Sequence, residues 1–98
     1  MPKFYEGKIE GCDLYFTSLC ILEAFHAHAS DNGMRRRGAA KFFIFDDGTS
    51  SVEMDGKLSK KQISAIQVYI KRNHIEMLEN WNDFAKSRGM TPGTYKKR

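Results

Sequence analysis

Between Ser59 and Gly89 the large apolar residues fall at Ile63, Ile66, Ile70, Met77, Trp81 and Phe84, in steps of 3, 4, 7, 4 and 3. These intervals lay one apolar stripe along an α-helix. Ser59 is a favourable N-cap, and Gln62 three residues later completes a capping-box pattern. Gly89 suits the position just past the helix end, with Lys86 and Arg88 placed to meet the C-terminal dipole. A helix of about 29 residues would run about 43 Å, long for this chain, which leaves room for a kink or break near Asn73. His74 fills the gap of seven in the stripe and is expected as a partly buried histidine bonded to a neighbour. The residues before Ser59 must supply the surface that buries this stripe.

They read as short strands. Residues 8–16 (KIEGCDLYF) alternate loosely, with Ile9, Leu14 and Phe16 expected to face inward and Gly11 marking a bulge or bend. Residues 19–24 are short and apolar, and fit a strand or a helical turn. A second strand is expected over 24–30, and the clearest one over 39–46 (AAKFFIFD). Asp47-Gly48 supplies the positive-φ positions of a tight hairpin, with 50–55 pairing back. Phe43 and Phe45 with Val52 and Met54 are expected to share the core face, leaving Phe42 and Ile44 on the other. The fold class is α+β, an antiparallel sheet of three to four strands packed against one long C-terminal helix. Residues 1–89 form a single domain and 90–98 (MTPGTYKKR) a flexible basic tail.

Ninety-eight residues with 41% hydrophobic content can bury one working core. The apolar runs are too short to span a membrane and no signal-peptide pattern opens the chain, so a cytoplasmic address is expected. Cys12 and Cys20 belong to no C-x-x-C pattern and are expected free and partly buried. The net charge of +4 is uneven: residues 1–55 hold six Lys/Arg against nine Asp/Glu, and residues 56–98 hold ten against three. A basic half of this kind is a solvated face or a surface that attracts phosphate or an acidic partner.

The stretch Phe25-His26-Ala27-His28-Ala29 carries the most chemistry. Residues two apart on a strand share a face, with Cα atoms about 6.5–7 Å apart. His26 and His28 can therefore act as acid and base on an RNA phosphodiester, with Arg35, Arg36 and Arg37 to stabilise charge. A metal site would draw on His26, His28, His74, Cys12 and Cys20; the set favoured, if there is one, is His26, His28 and His74. No metal or other cofactor is expected, because no spacing fixes a full ligand set. For nucleic acid or a partner protein the candidate contacts are Arg35, Arg36, Arg37, Lys57, Lys60, Lys61, Lys71 and Arg72. Nucleophile-elbow, zincin, P-loop and dinucleotide patterns are absent, which disfavours common hydrolase and nucleotide chemistry.

The order F-H-x-H-A (Phe25 to Ala29), D-x-G (Asp46 to Gly48), G-K-L (Gly56 to Leu58) and L-x-N-W (Leu78 to Trp81) resembles the small bacterial domain of unknown function numbered 4160. The likeness covers about residues 8–84. It departs at Glu23-Ala24, where members carry Pro-Pro, at Ser59, where a proline is common, in a hairpin about two residues longer, and in the Arg35–Arg37 loop. The resemblance implies no established activity. It implies a gene often placed beside a second small one, in a toxin–antitoxin-like pair. It also singles out His26, His28, Lys57, Asn80 and Trp81, the last two expected to be structural. The reading leans against an enzyme, towards an interaction module binding a small neighbour-encoded protein and possible nucleic acid. A metal-independent ribonuclease using His26 and His28, or a weak His-based metal binder, stand as alternatives. An exposed edge strand makes a homodimer plausible.

Overall fold

A computed structural model describes residues 2–34 and 38–98. Ile9 and Cys12 exchange two backbone hydrogen bonds of 2.9 Å around Glu10 and Gly11, whose φ values are +49° and +77°. Two positive φ values in succession make the two-residue turn whose twist matches paired strands. The expected strand over 8–16 is thus a tight turn leading into a short β1, Asp13–Tyr15. A 3-10 turn follows at Cys20–Leu22. Then come β2 (His26–Ser30), β3 (Ala40–Ile44) and β4 (Ser50–Met54), all antiparallel in the order β1-β2-β3-β4. Segment 2–4 covers the outer edge of β1: Phe4 N–H donates to Leu14 O and Phe16 N–H to Pro2 O.

Helix α1 runs unbroken from Lys60 to Ser87, with no interruption at Asn73. Its capping box forms as expected, Gln62 N–H donating to Ser59 Oγ at 3.1 Å and Ser59 N–H to Gln62 Oε1 at 2.9 Å. At the other end Met90 N–H reaches Ala85 O and Gly89 N–H reaches Lys86 O, with Gly89 at φ +66°. That pair of bonds is a Schellman stop, which uses two carbonyls that the helix cannot pair itself. The stripe buries Ile66, Ile70, Met77, Trp81 and Ala85 against Leu14, Ala27, Ala29, Phe42 and Ile44 of the sheet.

The two faces of the β3–β4 hairpin are the reverse of the sequence reading. Phe42 and Ile44 are fully buried under the helix, while Phe43 and Phe45 are half-buried and Val52 and Met54 exposed. The register supplies the reason: Phe42 pairs with Ala27 and Ala40 with Ala29. The small alanines let α1 come close on that side. Lys41 shares its face with Phe43, and a lysine does not go under a helix unpaired. The hairpin also turns differently. Phe45 N–H bonds Thr49 O, Gly48 N–H bonds Phe45 O, and only Gly48 takes a positive φ, +84°. This is a three-residue loop ending in a glycine bulge, rather than a two-residue turn with positive φ at Asp47 as well.

Residues 90–98, read from sequence as a flexible tail, are placed as a strap across the base of the sheet. Gly93 N–H donates to Ile21 O at 2.7 Å, Phe25 N–H to Thr94 O at 2.7 Å, and Lys96 N–H to Ile44 O at 2.8 Å. Trp81 Nε1–H donates to Gly93 O at 2.9 Å, which ties the strap to the helix. A side chain at position 93 would overlap the Glu23 carbonyl oxygen, so only glycine passes there. No described helix is long and apolar enough to cross a membrane.

Candidate functional site

The sheet face away from α1 carries a cross-strand row in register, Tyr15 opposite His28, His28 opposite Lys41, and Lys41 opposite Met54. These four side chains, with Thr17, Leu19, Cys20 and Glu23, line a cleft of about 500 Å³. His28 lines it and His26 lies behind, packed on Trp81 of α1, the two imidazole centroids 5.1 Å apart and their planes at 90°. The strand reading placed them on one face, and they lie together there. Their exposure differs: His26 is fully buried, whereas His28 is half-buried and lines the cleft.

Cys20 joins them. The 3-10 turn directs its sulfur inward so that Cys20 Sγ and one nitrogen from each of His26 and His28 all lie within 4.8 Å of one another. Thr17 also bonds the sulfur, through its N–H at 3.4 Å and its hydroxyl at 3.1 Å. Burial pushes the Cys20 thiol up, but the polar groups of His26, His28 and Thr17 around it outweigh burial and bring it to about 5. Cys12, the other free thiol, is pushed up by burial and by nearby Asp31 and Asp13.

His26 has its protons assigned by its neighbours. Nδ1 lies 2.7 Å from Ala24 O, and a carbonyl can only accept, so Nδ1 bears the hydrogen. In the neutral ring Nε2 is then a bare lone pair, and only the doubly protonated ring has an N–H there that can favour a Cys20 thiolate. Nε2 is buried and has no hydrogen bond of ordinary geometry. Glu23 and Lys41 form an ion pair of 3.2 Å at the rim. Burial would raise the Glu23 carboxyl, but Lys41 outweighs it and holds the group below the usual carboxylate range. Lys41 and Lys96 also sit over the Phe43 ring, at 4.8 and 4.6 Å from its centre.

Other candidates lie elsewhere. His74 does not meet the histidine pair; its Nδ1 bonds Tyr95 Oη at 2.8 Å, as a partly buried histidine with a partner should. The third group beside His26 and His28 is therefore Cys20 in place of His74. Lys57, Lys60, Lys61, Lys71 and Arg72 are exposed, and none of them lines the cleft. Lys61 pairs with Glu10 at 3.7 Å, and Lys71 donates to Asp47 O at 2.5 Å. Arg35, Arg36 and Arg37 lie outside the described residues. Trp81 is buried at the core, where its structural role was expected, and Asn80 is exposed.

The sequence reading missed Lys41 and Glu23, and it set Cys20 aside although the spacing C-x5-H-x-H (Cys20, His26, His28) was visible. A cysteine, two imidazoles and a bare buried nitrogen at the end of an open cleft suit either a soft metal ion or a docked polar group. A family model described as domain of unknown function (DUF4160) matches residues 11–82. No curated protein and no solved structure matches the chain.

Proposed function

This chain belongs to the DUF4160 family, and from that premise we propose that it is a small cytoplasmic interaction module, without catalysis, of a toxin–antitoxin-like pair. Its partner is the small protein encoded beside it, and the partner docks over the cleft on the open face of the sheet. The observation that carries this reading is the rim of that cleft. Leu19 and Met54 are 69% and 51% exposed there, beside the Glu23–Lys41 pair. Apolar anchors around a concave site with a few fixed charges are what a protein partner can desolvate and grip. Lys60, Lys61, Lys71 and Arg72 leave a basic outer face on α1 for a secondary, salt-sensitive attraction to nucleic acid. A second copy would pair along the outer edge of β4.

A two-histidine ribonuclease is the weaker reading, because acid and base must both reach one phosphodiester. His26 is sealed, its ring fully buried and its Nδ1–H held by Ala24 O, so of the pair His28 alone lines the cleft. Co-expression with the neighbour-encoded protein tests the proposal. A complex is expected, weakened at least about tenfold when Leu19→Asp and Met54→Asp are combined. A complex indifferent to that change would overturn the docking surface. RNA cleavage that persists in EDTA and disappears in His28→Ala would overturn the non-catalytic reading.

A further inference from the structure

We propose that Cys20, His26 and His28 form a three-ligand site for a thiophilic divalent transition metal, zinc foremost, with its fourth position open to the cleft. One sulfur and two imidazole nitrogens are a donor set for zinc; magnesium and calcium, which take oxygen, have no claim on it. Three observations converge on the centre. The ligand atoms already lie within 4.8 Å of one another. The buried Nε2 of His26 has no hydrogen-bond partner, which is costly unless something else occupies that lone pair. The opposite nitrogen donates to Ala24 O, the outer bond that fixes the tautomer and orientation of a metal-binding histidine.

The scaffold holds two of the three ligands from behind. The strap bonds Ile21, inside the turn that carries Cys20, and Phe25, next to His26. His28 is the adjustable member, half-buried and facing the cleft. A tetrahedral zinc with bonds of about 2.3 Å to sulfur and about 2.0–2.1 Å to nitrogen needs its ligand atoms about 3.3–3.6 Å apart. From separations of up to 4.8 Å the ligand atoms must draw together by about 1–1.5 Å to meet such an ion. The site differs from the His26, His28 and His74 set considered from sequence, because His74 is held by Tyr95.

The inference does not depend on the docking reading, and its test uses metal alone. Untagged full-length protein, stripped with chelator and dialysed, is titrated with zinc and, separately, with cobalt(II). One zinc per chain is expected, together with a thiolate-to-cobalt charge-transfer band. Cys20→Ser should abolish the band, and His28→Ala should weaken zinc by more than the about 10–100-fold that loss of an outer-shell partner costs. Cys12→Ser and His74→Ala should bind as the parent chain does. Less than about 0.1 zinc per chain at saturating micromolar metal overturns the site, as does a cobalt band that survives Cys20→Ser. Because the band is read on the unaltered chain, the proposal stays open to refutation even where a variant folds poorly.

Discussion

Phe42 and Phe43 are neighbours on one strand and lie in opposite worlds. Phe42 is sealed beneath α1 with Ile44, Ala27 and Ala29, in a layer closed by Ile66, Ile70 and Trp81. Phe43 stands on the open face with His26 opposite it, and two lysine ammonium groups rest on its ring. The strand's period of two divides one sequence into a side that holds the fold and a side that faces a ligand. On the covered side the large side chains are buried in one apolar cluster. On the other, Phe43, His28 and Lys41 stay half-buried, the last two lining a cleft, with His26 and Cys20 buried beside them.

The largest expected effect tests this division directly. Phe42→Ala should cost about 3–5 kcal/mol, with the midpoint of denaturant unfolding falling accordingly. Phe43→Ala should cost about 1 kcal/mol, as fits a half-exposed ring. Equal losses at the two positions would mean that the faces are not divided as described. Next comes the strap. Gly93→Ala must displace either the strap or the Glu23 backbone, and should destabilise by about 1–3 kcal/mol. Its loss should also show as faster amide exchange at Phe25, whose N–H donates to Thr94 O.

A smaller effect separates the edge of the sheet from both faces. Lys3 at 2.9 Å and Lys8 at 3.4 Å hold the Asp13 carboxyl below its usual value, the Lys3 hydrogen bond first, against a burial that acts the other way. A depressed native value means stability that is complete above the ordinary carboxylate range, about pH 4, and is lost as pH falls through the native value. Asp13→Asn should flatten that part of the acid unfolding profile and leave the neutral-to-alkaline part parallel to the parent. The smallest effect belongs to the open face: His28→Ala should change stability of the metal-free chain by about 0.5 kcal/mol or less, measured by urea unfolding in chelator. A loss as large as that of Phe42→Ala would make His28 a core residue and remove the contrast.

Much of the covered face was legible in the sequence because its signals are local. The stripe from Ile63 to Phe84, the Ser59–Gln62 cap and the Gly89 stop each sit within a few residues of their partners, and all three form. The parity of β3 was misread because four aromatic and aliphatic residues in a row, Phe42 to Phe45, fit either face. The charge on Lys41 decides the question, and weighing it would have given the right side. The candidate site was half legible. His26 and His28 announce themselves by spacing, but Cys20 reaches them through a 3-10 turn whose position depends on contacts with residues 93 and 94. The C-x5-H-x-H spacing names the three residues, but no local pattern says that the turn brings the sulfur to the imidazoles.

The strap has a consequence for the order of assembly. Helix and hairpin can form from neighbours in sequence, but the backbone around Cys20 is braced only when Gly93 and Thr94 arrive, across a loop of about seventy residues. Contacts closed over such separations lose more chain entropy and slow folding. The bracing of the cleft's floor is therefore the part of the fold that rests on the longest loop closure.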